Sequence, residues 1–263
     1  MILQDIINII ESVAPLSYQE DWDNSGLQVG NRNAEIKAAL LTVDVTESVV
    51  NEAILLGCDL IISHHPLLFR GLKQLTGSTP QERCVEQAIR HNIAIYSAHT
   101  SMDSYLHGVS GRMAEKLGVD NYRILIPSAG DMQVGLGVIG ELQEAMDNEA
   151  FVAHVANVLA APSAPLRWVE GAKKTVKKVA ICGAAGAEFV EQAIAQGADA
   201  YISADFKYHE LQSAYQRITV VDMDHWVSEH FTREIFEELL SAHVTTYIAK
   251  TDDSPVRFWK QEY

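Results

Sequence analysis

Along most of this chain, short apolar runs alternate with amphipathic stretches of helical length. Runs of five to seven apolar residues bounded by turn residues read as buried strands, whereas apolar positions recurring every three to four residues read as one face of a helix. On that basis 36–43 is a strand, 47–56 a helix and 60–63 a strand, followed by a helix over 81–91, a strand over 93–97 and a helix over 109–117. The first ten residues place Ile2, Leu3, Ile6, Ile7 and Ile10 on one face of a short helix. Regular alternation of strand and helix is the pattern of a largely parallel sheet covered by helices.

Residues 129–171 break this rhythm. A strand over 133–139 leads through an acidic turn into a helix over 149–159, then a proline-containing connection to about 171. A strand over 176–182 restarts the strand-helix pattern. The restart matches the first lobe without a gap: Ile36-Lys37 falls on Val176-Lys177, Ala53-Ile54 on Ala193-Ile194, Gly57 on Gly197, Asp59 on Asp199 and Ile62-Ser63 on Ile202-Ser203. A repeated β-α-β unit predicts two related lobes. The expected organisation is an α/β lobe over 1–128, a connecting segment over 129–171 and a second α/β lobe over 172–263 that repeats the first. Any two β-α units share part of such a pattern; the absence of a gap favours a true repeat.

Composition adds limits. Hydrophobic residues make up 48% and charged residues 21%, a globular mixture, and the formal net charge is -15. A field of that sign repels phosphate backbones and anionic lipid, so neither direct nucleic-acid binding nor membrane-surface binding is expected. No apolar run is long enough for a spanning helix, and the N-terminus lacks the basic start and cleavage site of a secretory signal. The cysteines, Cys58, Cys84 and Cys182, are scattered, form no C-x-x-C pair and read as buried thiols of a reducing compartment. A cytoplasmic location is expected.

Candidate chemistry falls at strand ends, where open α/β sheets gather side chains into a crevice. His64-His65 follows the strand over 60–63 and precedes Pro66. Adjacent residues on a strand point to opposite faces, but a loop leaving the sheet can turn both imidazoles into one cavity; the alternative is an ordinary buried and an ordinary exposed histidine. The strand over 93–97 ends in a segment carrying His99 and Asp103, although Asp103 alone also suits a helix N-cap. A third strand, over 218–221, runs into Asp224, His225 and Glu229. His225 and Glu229 stand four apart where a helix begins, so both can face the same way, and a glutamate there can equally serve the helix dipole. Asp205 and His209, after the strand of the second lobe, read either as outer partners orienting a ligand imidazole or binding substrate or as a cap and a surface histidine. His91, His107, His154, His230 and His243 read as ordinary positions. Asp23-Asn24-Ser25-Gly26 reads by composition as a turn. Phosphate-loop and nucleophile-elbow motifs are absent.

Trp22-Asp23-Asn24-Ser25-Gly26-Leu27, Ser63-His64-His65-Pro66 and His99-Thr100-Ser101-Met102-Asp103 together resemble the GTP cyclohydrolase 1 type 2 homologs, also called Nif-three-like proteins. Segments 203–209 and 225–229 resemble the two C-terminal motifs of that family. The resemblance implies a two-lobed α/β protein, each lobe a mainly parallel sheet flanked by helices, with a dinuclear metal centre in the cleft and assembly as a ring-shaped homohexamer. The metal ligands it implies are His64, His65, Asp103, His225 and Glu229, with Glu229 the bridge and His99 a further site position. Two departures stand out: Asp224 where the family usually has glycine, and Ser203-Ala204-Asp205 where it favours Thr-Gly-Asp.

These readings lead to two expectations. One is a metal-dependent hydrolase of a small substrate, with a purine nucleotide implied by the family name alone, two divalent ions drawn from Zn, Fe, Mn, Co or Ni, and His99 and Glu229 as catalytic groups. The other is a non-enzymatic, metal-stabilised assembly or partner-binding protein.

Overall fold

A computed structural model describes residues 1–128, 130–159, 165–252 and 254–257. Ala129, the residue opening the connecting segment expected from the sequence, lies outside the described residues, as do 160–164 of its proline-containing part and the C-terminal Tyr263. The described residues form two units, 1–102 with 232–252 and the described part of 103–231 with 254–257.

The first unit opens with α1 (Leu3–Val13), whose Leu3, Ile6, Ile7 and Ile10 are all buried, as the spacing predicts. It continues through β1 (Gly26–Val29), β2 (Ala38–Thr42), α2 (Glu47–Leu56), β3 (Leu60–Ser63), α3 (Pro80–Arg90), β4 (Ala94–Ser97) and α4 (Thr100–Asp103), the last of which leads into the second unit. Local chemistry sets the helix ends. Thr46 Oγ1 caps α2 by accepting from Val49 N–H, and the helix stops at Gly57, whose left-handed φ of 68° a side chain would strain. Thr79 caps α3, and Pro80 takes the first turn, where its missing N–H costs nothing.

The sheet of this unit has the order β1-β4-β3-β2-β11, where β11 is Thr245–Ile248 and follows α10 (Thr232–Leu240). Its strands are parallel apart from β1, which runs against β4 with Gly26 opposite Ser97. β2, β3 and β4 are buried along their whole lengths, as strands covered on both faces must be. The returning C-terminal segment is tied down by backbone-directed carboxylates: Asp252 accepts from Val43 N–H at 2.6 Å, and Glu52 accepts from Lys250 N–H at 2.9 Å. The sequence places 232–253 in linear continuity with the second lobe; its pairing partner, β2, lies some two hundred residues earlier, which no local pattern encodes.

The second unit contains α5 (Val109–Leu117), β5 (Val119–Ser128), β6 (Asp131–Asp147), α6 (Asn148–Val158), β7 (Arg167–Val169), β8 (Thr175–Ala185), α7 (Val190–Ala195), β9 (Ala200–Ala204), α8 (Tyr208–Ala214), β10 (Thr219–Met223) and α9 (His225–Glu229). Its sheet has the order β5-β6-β8-β9-β10-β7. Only β8, β9 and β10 are parallel; β5, β6 and β7 add antiparallel pairings on the flanks. The fold is thus mixed α/β, with two sheets flanked by helices. The acidic stretch expected to turn is instead the far half of β6, which runs through Asp147 with a register shift between Glu141 and Met146. Among the described residues no helix is long and apolar enough to cross a membrane.

The two matched β-α-β segments share a pattern of hydrogen bonds. In the first copy, Asp59 Oδ2 accepts from Lys37 and Ala38 N–H, and Asp59 N–H donates to Ala38 O. In the second, Asp199 Oδ2 accepts from Lys177 and Lys178 N–H, and Asp199 N–H donates to Lys178 O. Gly57 and Gly197 end the corresponding helices with φ of 68° and 78°. The next strand is attached the same way, Ala94 N–H to Asp59 O and Thr219 N–H to Asp199 O.

Candidate metal centre

In the first unit, topology brings four chain segments to one sheet edge. The parallel strands β2, β3 and β4 end there, delivering Asp44, His64-His65 and His99. Because β1 is antiparallel to β4, its beginning lies at the same edge and brings Asp23 with it. Strand pairing continues past β3, with His64 N–H on Thr42 O and His65 N–H on Val43 O. The chain then leaves the sheet so that the two adjacent imidazoles lie 5.1 Å apart rather than on opposite faces. His99 stands 5.2 Å from His64 and 5.4 Å from His65, ring centre to ring centre. One candidate ligand atom from each of the three lies within 4.8 Å of the others.

Each of these rings is held through Nδ1. His64, fully buried, donates to Ala98 O at 3.0 Å; His65 meets Asp44 Oδ1 at 2.9 Å; His99 meets Asp23 Oδ1 at 2.8 Å. A carbonyl or carboxylate on Nδ1 places the proton there and directs the Nε2 lone pair to the other side, the arrangement seen in metal-ligating histidines. Asp23 is itself fixed. Its carboxylate accepts from the Thr100 hydroxyl at 2.6 Å, Thr100 N–H at 3.0 Å, the Ser25 hydroxyl at 3.0 Å and Asn24 N–H at 2.7 Å. Burial alone would raise its pKa, but the bonds from His99, Thr100 and Asn24 outweigh it and hold the carboxyl well below the usual range. A cavity of about 410 Å³ reaches His65 and is lined by Asp44, Thr46, Ser48, Pro66 and Gln81 among others.

In the second unit, β9 and β10 end side by side and deliver Asp205 and His225. His225 and Glu229 share a face of α9 as the spacing predicts, with Nε2 and Oε2 3.1 Å apart, and Glu229 is 0% exposed. His225 Nδ1 meets Asp205 Oδ2 at 2.8 Å. Burial lowers the His225 pKa, and the Glu229 and Asp205 carboxylates on its two nitrogens raise it more, to about 9. Asp205 adopts a left-handed φ of 61°, and the following residue is clamped: Phe206 N–H reaches Asp222 Oδ1 at 3.4 Å, while Arg167 donates to Phe206 O at 2.8 Å and pairs with Asp222. Asp103 closes α4, half-buried, and its charge is one cause, after burial, of the raised pKa of the Cys182 thiol.

Asp224 serves as the N-cap of α9: Oδ1 accepts from Val227 N–H and Oδ2 from the Ser254 hydroxyl, both at 3.2 Å. Its carboxylate is thereby committed to the helix start. Asp205 takes the orienting role that was one of its two sequence readings, whereas His209 is exposed on α8 beside Gln212. Two residues were missed. Asp44 lies just past the end of β2 and could have been found by the strand-end logic applied to the others. Asp23 reads locally as a turn because its partner, His99, lies 76 residues away.

Two sheets flanked by helices, with imidazoles and carboxylates gathered at the carboxyl ends of parallel strands, define a class of α/β proteins equipped with groups that could hold metal. Comparison with known proteins gives the family. The profile of the Duf34/NIF3 (NGG1p interacting factor 3) family matches residues 1–255, and the chain belongs to that family. A Clostridium perfringens protein named GTP cyclohydrolase 1 type 2 homolog is 34% identical over 263 residues, covering 98% of this chain and 100% of its own. Among solved structures, a Bacillus cereus protein related to NIF3 superposes with a TM-score of 0.88 at 25% identity, covering 98% of this chain and 99% of its own. Reduced HcgD from Methanocaldococcus jannaschii superposes with a TM-score of 0.80 at 27% identity, covering 95% and 98%.

Proposed function

We infer that this protein is a metal-dependent hydrolase whose two divalent ions are held by His64, His65, Asp103, His225 and Glu229, with Glu229 shared between them. The observation that carries this reading is the imidazole cluster: His64, His65 and His99 converge so that one candidate ligand atom from each lies within 4.8 Å of the others. Three imidazoles gathered at one sheet edge are rare without a role, whereas a metal centre requires such convergence. The donor set fits ions that accept both imidazole nitrogen and carboxylate oxygen, such as Zn, Fe, Mn, Co or Ni.

When bound, such ions lower the pKa of a coordinated water toward neutrality and polarise the substrate. The chain's own groups do the rest. Asp44 and Asp205 orient the His65 and His225 rings. Asp23 fixes His99 so that its Nε2 can hold or pass a proton in the site. The cavity beside His65 offers room for a small substrate, and the names of the relatives point to a purine nucleotide. The ring-shaped homohexamer implied by the family is part of the same proposal, checked by the mass of the assembly in solution.

The test is elemental analysis of unchelated protein followed by a turnover screen with the metal found. About two ions per chain and hydrolysis lost in Glu229→Gln, with unchanged circular dichroism, are expected. No metal uptake from Mn, Fe, Co, Ni or Zn overturns the centre. Two ions without turnover would favour the metal-stabilised, non-enzymatic assembly.

A further inference from the structure

The three-imidazole cluster is flanked by two aromatic side chains that the core does not use. Trp22 is 60% exposed and Phe69 44% exposed, with ring centres 5.9 Å apart and planes inclined at 52°. Both present an edge or face to His99, at 6.0 Å and 6.3 Å. Exposed aromatic pairs beside a polar site are unusual, because burying either ring would contribute to folding.

These rings are held in place. Asp23, fixed by its hydrogen bonds, anchors the backbone next to Trp22. Asn24 Nδ2 donates to Leu68 O at 2.6 Å, Gln28 Oε1 accepts from Leu68 N–H at 3.2 Å, and Gln28 Nε2 ties back to Asn24 O at 2.7 Å. Both polar groups of the Leu68 backbone are therefore tied to the loop that carries Trp22, which fixes the start of the segment bearing Phe69. Such preorganisation lowers the entropy lost on binding.

Charge adds a direction. In a chain of net charge -15, residues 66–79 contain no aspartate or glutamate and carry Arg70 and Lys73. Both are exposed, and among the described residues neither forms an ion pair. Asp21, beside Trp22, is acidic, so the cationic contribution comes from the Phe69 side alone.

We propose that Trp22 and Phe69 form a stacking shelf for the heteroaromatic ring of a purine nucleotide, with Arg70 and Lys73 receiving its phosphates. The ring lies on one aromatic face with its edge against the other, and its neighbouring atoms are brought toward His99. This assignment deepens the hydrolase reading and rests on it for the identity of the ligand, but it makes separate predictions about binding.

The test is calorimetric titration of the metal-loaded, full-length protein with GTP, guanosine and tripolyphosphate, alongside GTP turnover. Trp22→Ala is expected to weaken GTP and guanosine alike, by about ten-fold or more; Phe69→Ala should do the same, and Trp22→Phe should restore much of the loss. Arg70→Ala/Lys73→Ala should weaken GTP and tripolyphosphate and leave guanosine unchanged. GTP binding through Trp22 without turnover would keep the shelf and sink the hydrolase. GTP bound or hydrolysed equally well by Trp22→Ala would sink the shelf alone, and no binding of GTP by the metal-loaded protein would also overturn it.

Discussion

Asp205 accepts a 2.8 Å hydrogen bond from His225 Nδ1 while its own backbone occupies a left-handed conformation, φ 61°, that few side chains tolerate. Strain of this kind persists where surrounding structure enforces it, and here the Arg167-Asp222 pair clamps the next peptide. Asp205→Ala is expected to lower metal affinity by about 10–100-fold, read by competition with a chromophoric chelator. Asp205→Asn, which tolerates the same backbone and keeps an acceptor, should retain much of it. Equal affinity in the alanine variant would remove Asp205 from the site.

Asp23→Ala leaves the Thr100 hydroxyl, Thr100 N–H and His99 Nδ1 without their acceptor in a largely buried place. Buried donors left without partners cost about 1–3 kcal/mol each before relaxation, so a loss of about 3 kcal/mol in unfolding free energy is expected. Urea denaturation followed by circular dichroism measures it, and a change under about 0.5 kcal/mol, the level of an ordinary surface substitution, would show that this network does not carry stability.

Asp199 supplies the pH dependence. Burial would raise its carboxyl, but Lys173 and the N–H groups of Lys178 and Lys177 hold it below the usual value. A carboxylate with a depressed folded pKa contributes stability that is present above its unfolded value, near 3.9, and is lost as pH falls through the folded value. Asp199→Ala should therefore cost about 1–2 kcal/mol at neutral pH, a difference that shrinks as the solution is acidified below about pH 4. Thermal melts of both proteins between pH 7 and pH 3 provide the check; a gap that widens on acidification would reverse the sign.

Metal should stabilise the fold by mass action. At about one hundred times the dissociation constant the gain is about 2.7 kcal/mol, a rise in Tm of about 5–10 °C for a chain of this size. His64→Ala and His225→Ala should each abolish most of that rise in differential scanning fluorimetry. A full rise in either variant would exclude that histidine as a ligand.

Local pattern was sufficient for much of the fold. The helices over 47–56 and 109–117 and the strand over 60–63 coincide with α2, α5 and β3, because caps, glycines and apolar runs act within a few residues. β5 and the far half of β6 were not visible: Glu141, Glu144 and Asp147 read locally as an acidic turn, and only the folded ribbon sets Glu141 opposite Asp120 on one side and Lys178 on the other. At the site, the histidines announce themselves by following strands. Of the carboxylates that orient them, Asp205 is legible as one of two readings, whereas Asp23, acting across 76 residues, is silent in sequence. The antiparallel direction of β1, which brings Asp23 to the histidine edge, is a property of the sheet alone.

The return of residues 232–253 to the first unit bears on how the protein is made. When the ribosome has released residue 231, every strand of the second sheet has been synthesised, yet β2 still lacks its outer neighbour and the carboxylate of Asp252 has not arrived to receive Val43 N–H. Until β11 has been synthesised, the nascent first unit carries an open strand edge of the kind that invites mispairing. β11 is thus translated after the whole second sheet yet completes the first, and a stop codon between residues 231 and 245 would harm the first sheet while leaving every described strand of the second encoded.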